Sequence, residues 1–401
     1  MATQFDDTIY QSVSDELDRT GYPEGFPALP EVPTARYTDK RMYDLEMEHL
    51  WRKTWLHACH ISEIPNDGSY KLFEQVGLNV IVTRGPGDQV RAFHNICRHR
   101  GSRVVLEPTG TAKRFVCPYH SWAYGRDGAL LAVPESRDFA CLNKSERGLI
   151  PVKCEVFRGM VFINLDMDAQ PLASFLAPTD RELGDFPLEN MEVKNIFVVD
   201  MACNWKTALD NFLEIYHVSS VHANSIAPYL QYKSFSVSLY EGGHARFATR
   251  KRGATIFGSD RPVSDAAGAL FKDHTIALPM FPNSFMAVDP AGFAWQSWWP
   301  TGPKSTVMVM TVMGWPDNGE RGAEYWENMA SQMRAIAHED QHLFAGMQEA
   351  LDSGFLPGVL MGYQERALYW YQEEIDRRIG AENIPEELRI TPVLSDHIQH
   401  R

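Results

Sequence analysis

The chain has 401 residues, of which 44% are hydrophobic and 22% charged, and its formal net charge is −14 at pH 7. This length allows two or three domains, and the acidic balance argues against nucleic acid or an anionic membrane as a partner. No run of 18 apolar residues occurs and the first residues are polar and acidic, so we expect a cytoplasmic protein without a signal peptide or membrane span. Four scattered cysteines are predicted to be reduced thiols, namely Cys59, Cys141, Cys154 and Cys203.

Residues 1–40 contain many prolines and predict an extended arm. From Thr38 to Trp55, apolar residues recur with the period of a helix. From Gly68, short alternating segments separated by turns predict β-strands. We therefore expect a small all-β domain over residues 41–160 and a second domain over residues 161–401.

Two short motifs in the predicted β-domain combine cysteine with histidine. Cys97 and His99 are followed, after seventeen residues, by Cys117 and His120, in a C-x-H…C-x-x-H pattern. Two thiolates and two imidazoles suit a zinc ion, but they also suit a [2Fe–2S] centre with two cysteines on one iron and two histidines on the other. The spacing alone leaves both interpretations open.

The stretch Asn204 to Ala223 carries a second pair of histidines. On a regular helix, His217 and His222 would point about 140° apart, because each residue turns roughly 100°. They can share one metal only if the helix loosens or ends between them, and the β-branched residues and serines of Val218–Val221 hold a helix poorly. Two unrelated histidines at a helix end are the alternative.

Strand-like segments between Tyr232 and Gly314 predict an antiparallel sheet of six or more strands, interrupted by an expected mobile lid from Ser264 to Leu278. One long helix is predicted from Arg321 to Ser353. Asp340 lies on its apolar stripe, where an unpaired charge is costly, so this carboxylate is either salt-bridged or bound to a metal. Glu339 falls off the stripe and is expected to be solvated.

The loops CRHRG and CPYHSWAYGRDG resemble the two cluster-binding loops of Rieske proteins, and HEDQHLFAGMQEAL resembles a helix that supplies a third iron ligand. From about residue 40 to 350, the chain resembles the oxygenase (alpha) component of Rieske non-haem iron oxygenases. This resemblance implies an α+β fold: a Rieske [2Fe–2S] all-β domain, and a catalytic domain whose antiparallel β-sheet is covered by helices.

The resemblance also assigns residues to two metal centres. A Rieske cluster is implied at Cys97, His99, Cys117 and His120, and a mononuclear Fe(II) at His217, His222 and Asp340, with Glu339 as the fallback ligand. Glu214 is implied to join the two centres by hydrogen bonds between subunits. A glutamate there, instead of the usual aspartate, resembles enzymes that oxidise choline-, carnitine- and betaine-like amines. Asn211 and Tyr216 are candidates for supporting these groups.

The implied function is that of a terminal oxygenase that uses O2 to hydroxylate a C–H bond of a small organic substrate. Its electrons come from NAD(P)H through a separate reductase, with or without a ferredoxin, and the assembly is a homotrimer. Oxidative N-demethylation or N-dealkylation is the favoured reaction, and mono- or dioxygenation of an aromatic ring is the alternative. A Rieske electron-transfer protein without catalysis is the non-enzyme alternative.

Two further expectations concern surfaces. Aromatic residues at Phe281, Phe285, Trp295, Trp298 and Trp299 are candidates for lining the substrate pocket, although a sheet core is their commoner use. Basic residues near the cluster loops predict docking of an acidic redox partner, with pairing inside the protein as the alternative; they are Arg98, Arg100, Arg103, Lys113 and Arg114.

Overall fold

The structure is a computed structural model that describes residues 4–253, 268–316 and 322–399. The chain folds as two compact units, Trp51–Ser174 and Met1–Leu50 with Phe175–Arg401. None of the helices in these described ranges is both long and apolar enough to cross a membrane. The domain limits at residues 41–160 and 161–401 stay predictions.

The N-terminal segment begins with a helix. Helix α1 spans Gln4–Asp18, strand β1 spans Val32–Pro33, and helix α2 spans Lys40–Leu45 and continues as a π-helix over Glu46–Leu50. Ile9 and Val13 are buried on α1 at helical spacing, so the prediction of an extended arm is wrong for this part. The helix predicted from Thr38 to Trp55 is confirmed over Lys40–Leu50.

The Trp51–Ser174 unit contains two antiparallel sheets, in the orders β2-β11-β10-β5-β4-β3-β6 and β7-β8-β9. Its core packs aromatic rings around the motif cysteines: Tyr70, Phe93, Trp122 and Tyr124 are buried in one cluster with Cys97 and Cys117. The predicted all-β architecture is therefore confirmed. The strands are β2 (Leu56–His60), β3 (Ser69–Phe73), β4 (Val80–Arg84), β5 (Val90–His94), β6 (Thr109–Thr111), β7 (Phe115–Val116), β8 (Ala123–Tyr124), β9 (Leu130–Ala132), β10 (Pro151–Phe157) and β11 (Met160–Asn164).

The larger unit is built on a seven-stranded antiparallel sheet in the order β12-β18-β17-β16-β15-β14-β13, which confirms the sheet prediction. A short β19 pairs with β1. The strands are β12 (Glu192–Met201), β13 (Ser236–Leu239), β14 (Ala245–Arg250), β15 (His274–Met280), β16 (Ser284–Val288), β17 (Phe293–Gly302), β18 (Ser305–Gly314) and β19 (Gly358–Val359). Helix α3 (Leu172–Phe175) spans the boundary between the two units along the chain. The other helices are α4 (Ala177–Leu183), α5 (Trp205–Asp210), α6 (Val218–Val221), α7 (Gly268–Asp273), α8 (Ala323–Asp352) and α9 (Arg366–Ile379).

The expected lid is not a separate element where the structure describes it. Residues 264–267 lie outside the described ranges, and the rest forms α7 and the first part of β15. Ile276 and Leu278 are fully buried in that strand, so the lid prediction is wrong for them. Their apolar side chains belong to the sheet core.

The long helix predicted from Arg321 to Ser353 is confirmed as α8. Its buried side includes Met333, Ala337 and Asp340, at spacings of three and four residues. Leu343 and Met347, which we expected on the same stripe, are instead 41% and 46% exposed.

Buried polar contacts hold the N-terminal segment to the helices of its own unit. Arg36 forms an ion pair with Asp376 at 2.7 Å, and the Tyr37 hydroxyl donates to Asp210 Oδ2 at 2.8 Å. Glu46 accepts a hydrogen bond from Trp205 Nε1 at 2.7 Å. Because unpaired buried charges are costly, these pairs specify how the segment docks.

Candidate active site

The residues predicted as iron ligands converge in the larger unit. His217, His222 and Asp340 each offer one ligand atom, and these atoms all lie within 4.8 Å of one another. Asp340 Oδ1 lies 3.2 Å from His222 Nε2 and 3.8 Å from His217 Nε2. Two imidazoles and one carboxylate are the donor set of a non-haem Fe(II) site.

A break in the helix lets the two histidines face the same point. Helix α5 ends at Asp210, and α6 is a single turn with His217 at its N-cap and His222 at its C-cap. This single turn ends at His222, whose backbone (φ −102°, ψ 31°) is no longer helical, so the two histidines are not held on one regular helix. The stretch that begins at Asn204 is also non-helical over residues 211–217.

Asp340 is only 2% exposed, and its Oδ1 accepts no hydrogen bond within the part of the chain that the structure describes. A buried carboxylate oxygen without a partner is costly unless a cation occupies the adjacent space. The site therefore fits a metal ion. His338 and His342, on either side along α8, are exposed and lie away from this point.

Glu339 has a role that the helical stripe did not reveal. Its Oε2 lies 2.6 Å from His222 Nδ1 and accepts a hydrogen bond from Ser225 Oγ at 2.5 Å. Although its side chain is 36% exposed, the expectation of a merely solvated glutamate is wrong. The contact spans 117 positions of sequence, so only the tertiary fold creates it.

The carboxylates around His222 also act on its protonation. Burial lowers the pKa of His222, but the adjacent Asp340 and Glu339 carboxylates outweigh burial, and the pKa is raised above its usual value. Glu339 can thus hold the proton on Nδ1 and leave Nε2 to face the metal position.

Glu214 contacts His217 in the way that Glu339 contacts His222. Its Oε1 contacts His217 Nδ1, and its Oε2 accepts from the backbone N–H of Tyr216 and of His217. The Glu214 side chain is 9% exposed, whereas Tyr216 is 73% exposed. Within the single chain described, Glu214 reaches one histidine; its second contact stays a prediction for the assembly.

The three converging residues open onto a cavity of about 1030 Å³, its mouth included. Most of its lining is apolar, for example Phe212, Phe247 and Met333. Asn211 lines it too, with a buried Nδ2 that has no partner among the described residues. Of the five aromatic residues expected in the pocket, Phe285 lines the cavity and Phe281, Trp295, Trp298 and Trp299 do not.

The two cysteine–histidine motifs come together in the smaller unit. The buried Cys97 and Cys117 lie in a common core cluster, and the rings of His99 and His120 are 4.7 Å apart. His99 stacks on Trp122 at 5.0 Å, and its Nδ1 is buried without a hydrogen-bond partner in the described residues. The orphaned nitrogen and the 2-Cys, 2-His donor set fit a Rieske cluster.

Two local effects prepare this second site for metal. Burial and the neighbouring His120 and Arg100 lower the pKa of His99, which favours the neutral imidazole that a metal needs. The Tyr124 hydroxyl accepts from the backbone N–H of Arg98 at 2.9 Å and lies 3.3 Å from Cys97 Sγ, to which it can donate.

Two regions of the chain match known families. Residues 54–145 match the Rieske [2Fe-2S] domain, and residues 188–381 match the ring hydroxylating alpha subunit (catalytic domain). The chain is 35% identical over 202 residues to the glycine betaine monooxygenase oxygenase subunit of Pseudomonas aeruginosa, which is 50% of this chain and 47% of that protein. It is 30% identical over 271 residues to the 2-aminobenzenesulfonate 2,3-dioxygenase subunit alpha of Alcaligenes sp, covering 64% of this chain and 66% of the relative.

The fold is also similar to that of a quaternary ammonium Rieske monooxygenase, with a TM-score of 0.76 and 22% identity over 90% of this chain and 99% of that chain. The chain spans about half the length of the glycine betaine relatives that it matches. The Rieske and catalytic domains nevertheless occur here in one chain, in the same order as the two metal motifs. The chain therefore belongs to the oxygenase (alpha) subunits of the Rieske non-haem iron oxygenases.

Proposed function

We propose that this protein is the terminal oxygenase of a multicomponent system, which uses O2 and NAD(P)H-derived electrons to hydroxylate a C–H bond of a small organic substrate. The observation that carries the proposal is the convergence of His217, His222 and Asp340 on the wall of a largely apolar cavity. His217 and His222 would hold Fe(II) through Nε2, and Asp340 through its carboxylate. When bound, this iron supplies the activation of O2 beside the substrate.

The chain's own residues orient these ligands. Glu214 accepts a hydrogen bond from the Nδ1–H of His217, and Glu339 accepts one from the Nδ1–H of His222. Both Nε2 atoms therefore keep a free lone pair. The apolar lining excludes bulk water from the space beside them, which limits side reactions. Asn211 also lines that space, and its buried Nδ2 has no hydrogen-bond partner in the described part of the chain.

Electrons enter through the smaller unit, where Cys97, His99, Cys117 and His120 would hold the cluster. The cluster supplies one electron at a time when it is bound. A separate reductase, with or without a ferredoxin, delivers these electrons, and in a homotrimer the cluster of one protomer serves the iron of its neighbour through Glu214. A cytoplasmic location is supported by Cys59, Cys141, Cys154 and Cys203, which are free thiols.

Two reaction types have support. Glu214 in place of aspartate and the similarity to a glycine betaine monooxygenase subunit favour oxidative N-demethylation. The apolar cavity, together with the similarity to a 2-aminobenzenesulfonate dioxygenase subunit, favours hydroxylation of an aromatic ring. A simple electron carrier would need no such ligand set or cavity, so the complete site argues against the non-enzyme alternative.

Single-turnover oxidation tests this function. The holoenzyme is reduced without its partner, mixed with ¹⁸O2 and a panel of N-methylated and aromatic compounds, and the products are analysed. We expect label in a hydroxylated product, with formaldehyde marking N-demethylation and a diol marking ring dioxygenation. The Asp340→Ala variant is the control and should form no product. A reduced, iron-replete enzyme that oxidises no member of the panel would contradict the proposal.

A further inference from the structure

The sheet forms one wall of the cavity, and its alternate residues face inward. Phe247, Ala277 and Ala287 lie side by side across β14, β15 and β16, and all three line the cavity. Ala294 on β17 lines it as well. Because three of these four side chains are methyl groups, the middle of this wall leaves room for a flat apolar molecule.

Two threonines form a polar pair at one end of this wall. Thr249 on β14 and Thr275 on β15 are directly opposite each other in the register, and both line the cavity. They are 3% and 9% exposed, and Thr275 Oγ1 has no hydrogen-bond partner in the described residues. A buried hydroxyl without a partner costs about 1–3 kcal/mol, so this position favours a ligand atom that can bond to it.

The threonine pair is separated along the wall from another of its lining side chains, Phe285. Phe285 pairs with Pro279, which lies four residues along β15 from Thr275, or about 13 Å. The Phe285 ring lies 6.2 Å from that of Phe212, which also lines the cavity. A molecule bound to the threonines therefore has room to extend along the wall toward these two rings.

The charges around the cavity disfavour a substrate that carries a carboxylate. Within the ranges that the structure describes, its charged or ionisable lining residues are Glu214, His217, His222 and Asp340, and no lysine or arginine lines it. The carboxylate of a betaine would lose its hydration there without gaining a counter-ion, which is costly.

We infer that the substrate is a largely apolar molecule without an anionic group, whose hydrogen-bonding group, such as a hydroxyl or carbonyl, docks on the pair Thr249–Thr275. This inference rests on the proposed function, because it names the substrate class of the same site. It assigns to the two threonines the hydrogen bond that fixes one end of the molecule.

Binding to the anaerobic holoenzyme tests the inference without turnover. Isothermal titration calorimetry compares 4-hydroxybiphenyl with biphenyl, and both with glycine betaine. We expect 4-hydroxybiphenyl to bind more tightly than biphenyl, and glycine betaine more weakly than either. In Thr275→Val and Thr249→Val the preference for the hydroxylated probe should fall roughly 2- to 12-fold, the value of one neutral hydrogen bond.

Thr34→Val is the matched control, because Thr34 is also buried, has an unpartnered hydroxyl within the described chain and does not line the cavity. It should keep the wild-type preference. The inference is overturned if neither 4-hydroxybiphenyl nor biphenyl binds, or if glycine betaine binds more tightly than these two compounds. It is also overturned if both valine variants keep the full preference for 4-hydroxybiphenyl. Failure of the oxygenase proposal is a separate outcome, since it appears as absent product in the single-turnover experiment and not in these affinities.

Discussion

Two neighbouring carboxylates on α8 make different contacts. Asp340 places its buried Oδ1 near Nε2 of both histidines, whereas Glu339 contacts Nδ1 of His222 and the hydroxyl of Ser225. A rotation of about 100° between consecutive helix residues explains the division. One carboxylate would bind the metal, and the other fixes the orientation of a ligand.

Glu339→Gln keeps the size of the side chain but removes its charge. We expect Fe(II) to bind roughly 10-fold more weakly, at the low end of the effect of removing a partner of a metal ligand. Equilibrium dialysis of Fe(II) measures this change, and the Rieske absorbance should stay at its wild-type level. Glu349→Gln, at an exposed position of the same helix, should bind Fe(II) as the wild type does. Equal affinities in both variants would show that Glu339 does not position His222.

How far the sequence predicts this site depends on the range of each contact. Asp340 was predictable because a charge on an apolar stripe is a local anomaly. The contact between Glu339 and His222 was not, since it joins residues 117 positions apart and leaves no periodic signal. Glu214 is assigned by the resemblance to the family, and the structure adds its backbone contacts.

At the scale of elements, the sheet predictions rested on alternation and β-branched residues, and the seven strands follow them. The interruption after Asp210 was missed because no glycine or proline marks it: residues 211–217 include Leu213 and Glu214, both good helix formers. Tertiary packing, which buries Leu213 completely, overrides this propensity. The apolar periodicity of α8 likewise did not predict that Leu343 and Met347 are exposed.

The end of β18 packs closely against the first turns of α8, the helix that carries Asp340. A methyl group added at Gly314 would lie 2.1 Å from Trp326 Cη2 on the first turns of α8. Gly314→Ala should therefore cost about 1–3 kcal/mol and lower the melting temperature by a few degrees, with a lower content of mononuclear iron. Differential scanning calorimetry and iron analysis measure both effects.

Gly346→Ala provides the contrast within the same helix. No atom lies within 4 Å of the added methyl group, and alanine is the better helix former by about 1 kcal/mol. This variant should be as stable as the wild type or more so. If the two alanine variants melt at the same temperature, the contact between Gly314 and Trp326 does not constrain the helix.

At the scale of the whole molecule, one buried acid links stability to pH. Burial raises the pKa of Asp210 to about 7, well above its value of about 3.9 in an unfolded chain. The folded state therefore holds this proton more tightly, and the contribution of Asp210 to stability falls as pH rises from about 4 to about 7. Asp210→Asn should remove this fall, so its melting temperature should gain on the wild type across that interval. Asp44→Asn, at an exposed position, is the control, and its melting temperature should not gain on the wild type across the same interval. If Asp210→Asn shows no such gain either, the pKa of Asp210 is not raised.

The basic residues near the cluster loops are the surface on which we expect the redox partner to dock. Arg103 pairs with Glu74 at 2.9 Å, and Arg98 and Arg100 bond to Gly148 O and to Tyr119, so three residues of the basic rim have partners inside the protein. Lys113 and Arg114 are exposed between β6 and β7. They are the part of the rim that is placed to attract an acidic reductase.

Reduction of the cluster by the cognate reductase should therefore slow several-fold between about 20 and about 300 mM salt. Charge reversal at Lys113 and Arg114 should reproduce that loss at low salt, measured by stopped-flow absorbance. Lys53→Glu, an exposed lysine of the same unit, is the control and should keep the wild-type rate. A rate that ignores both salt and charge reversal places the docking surface elsewhere.

We propose that one chain holds two iron centres and that Asp340 completes the second. Iron and acid-labile sulfide analysis, combined with the visible spectrum, tests it most directly. The wild type should contain about three irons and two sulfides per chain, since the cluster holds two irons and the mononuclear site one. Asp340→Ala should keep the sulfide and the Rieske spectrum but lose one iron. An Asp340→Ala protein that retains all three irons, with Glu339→Ala losing one instead, would contradict the account.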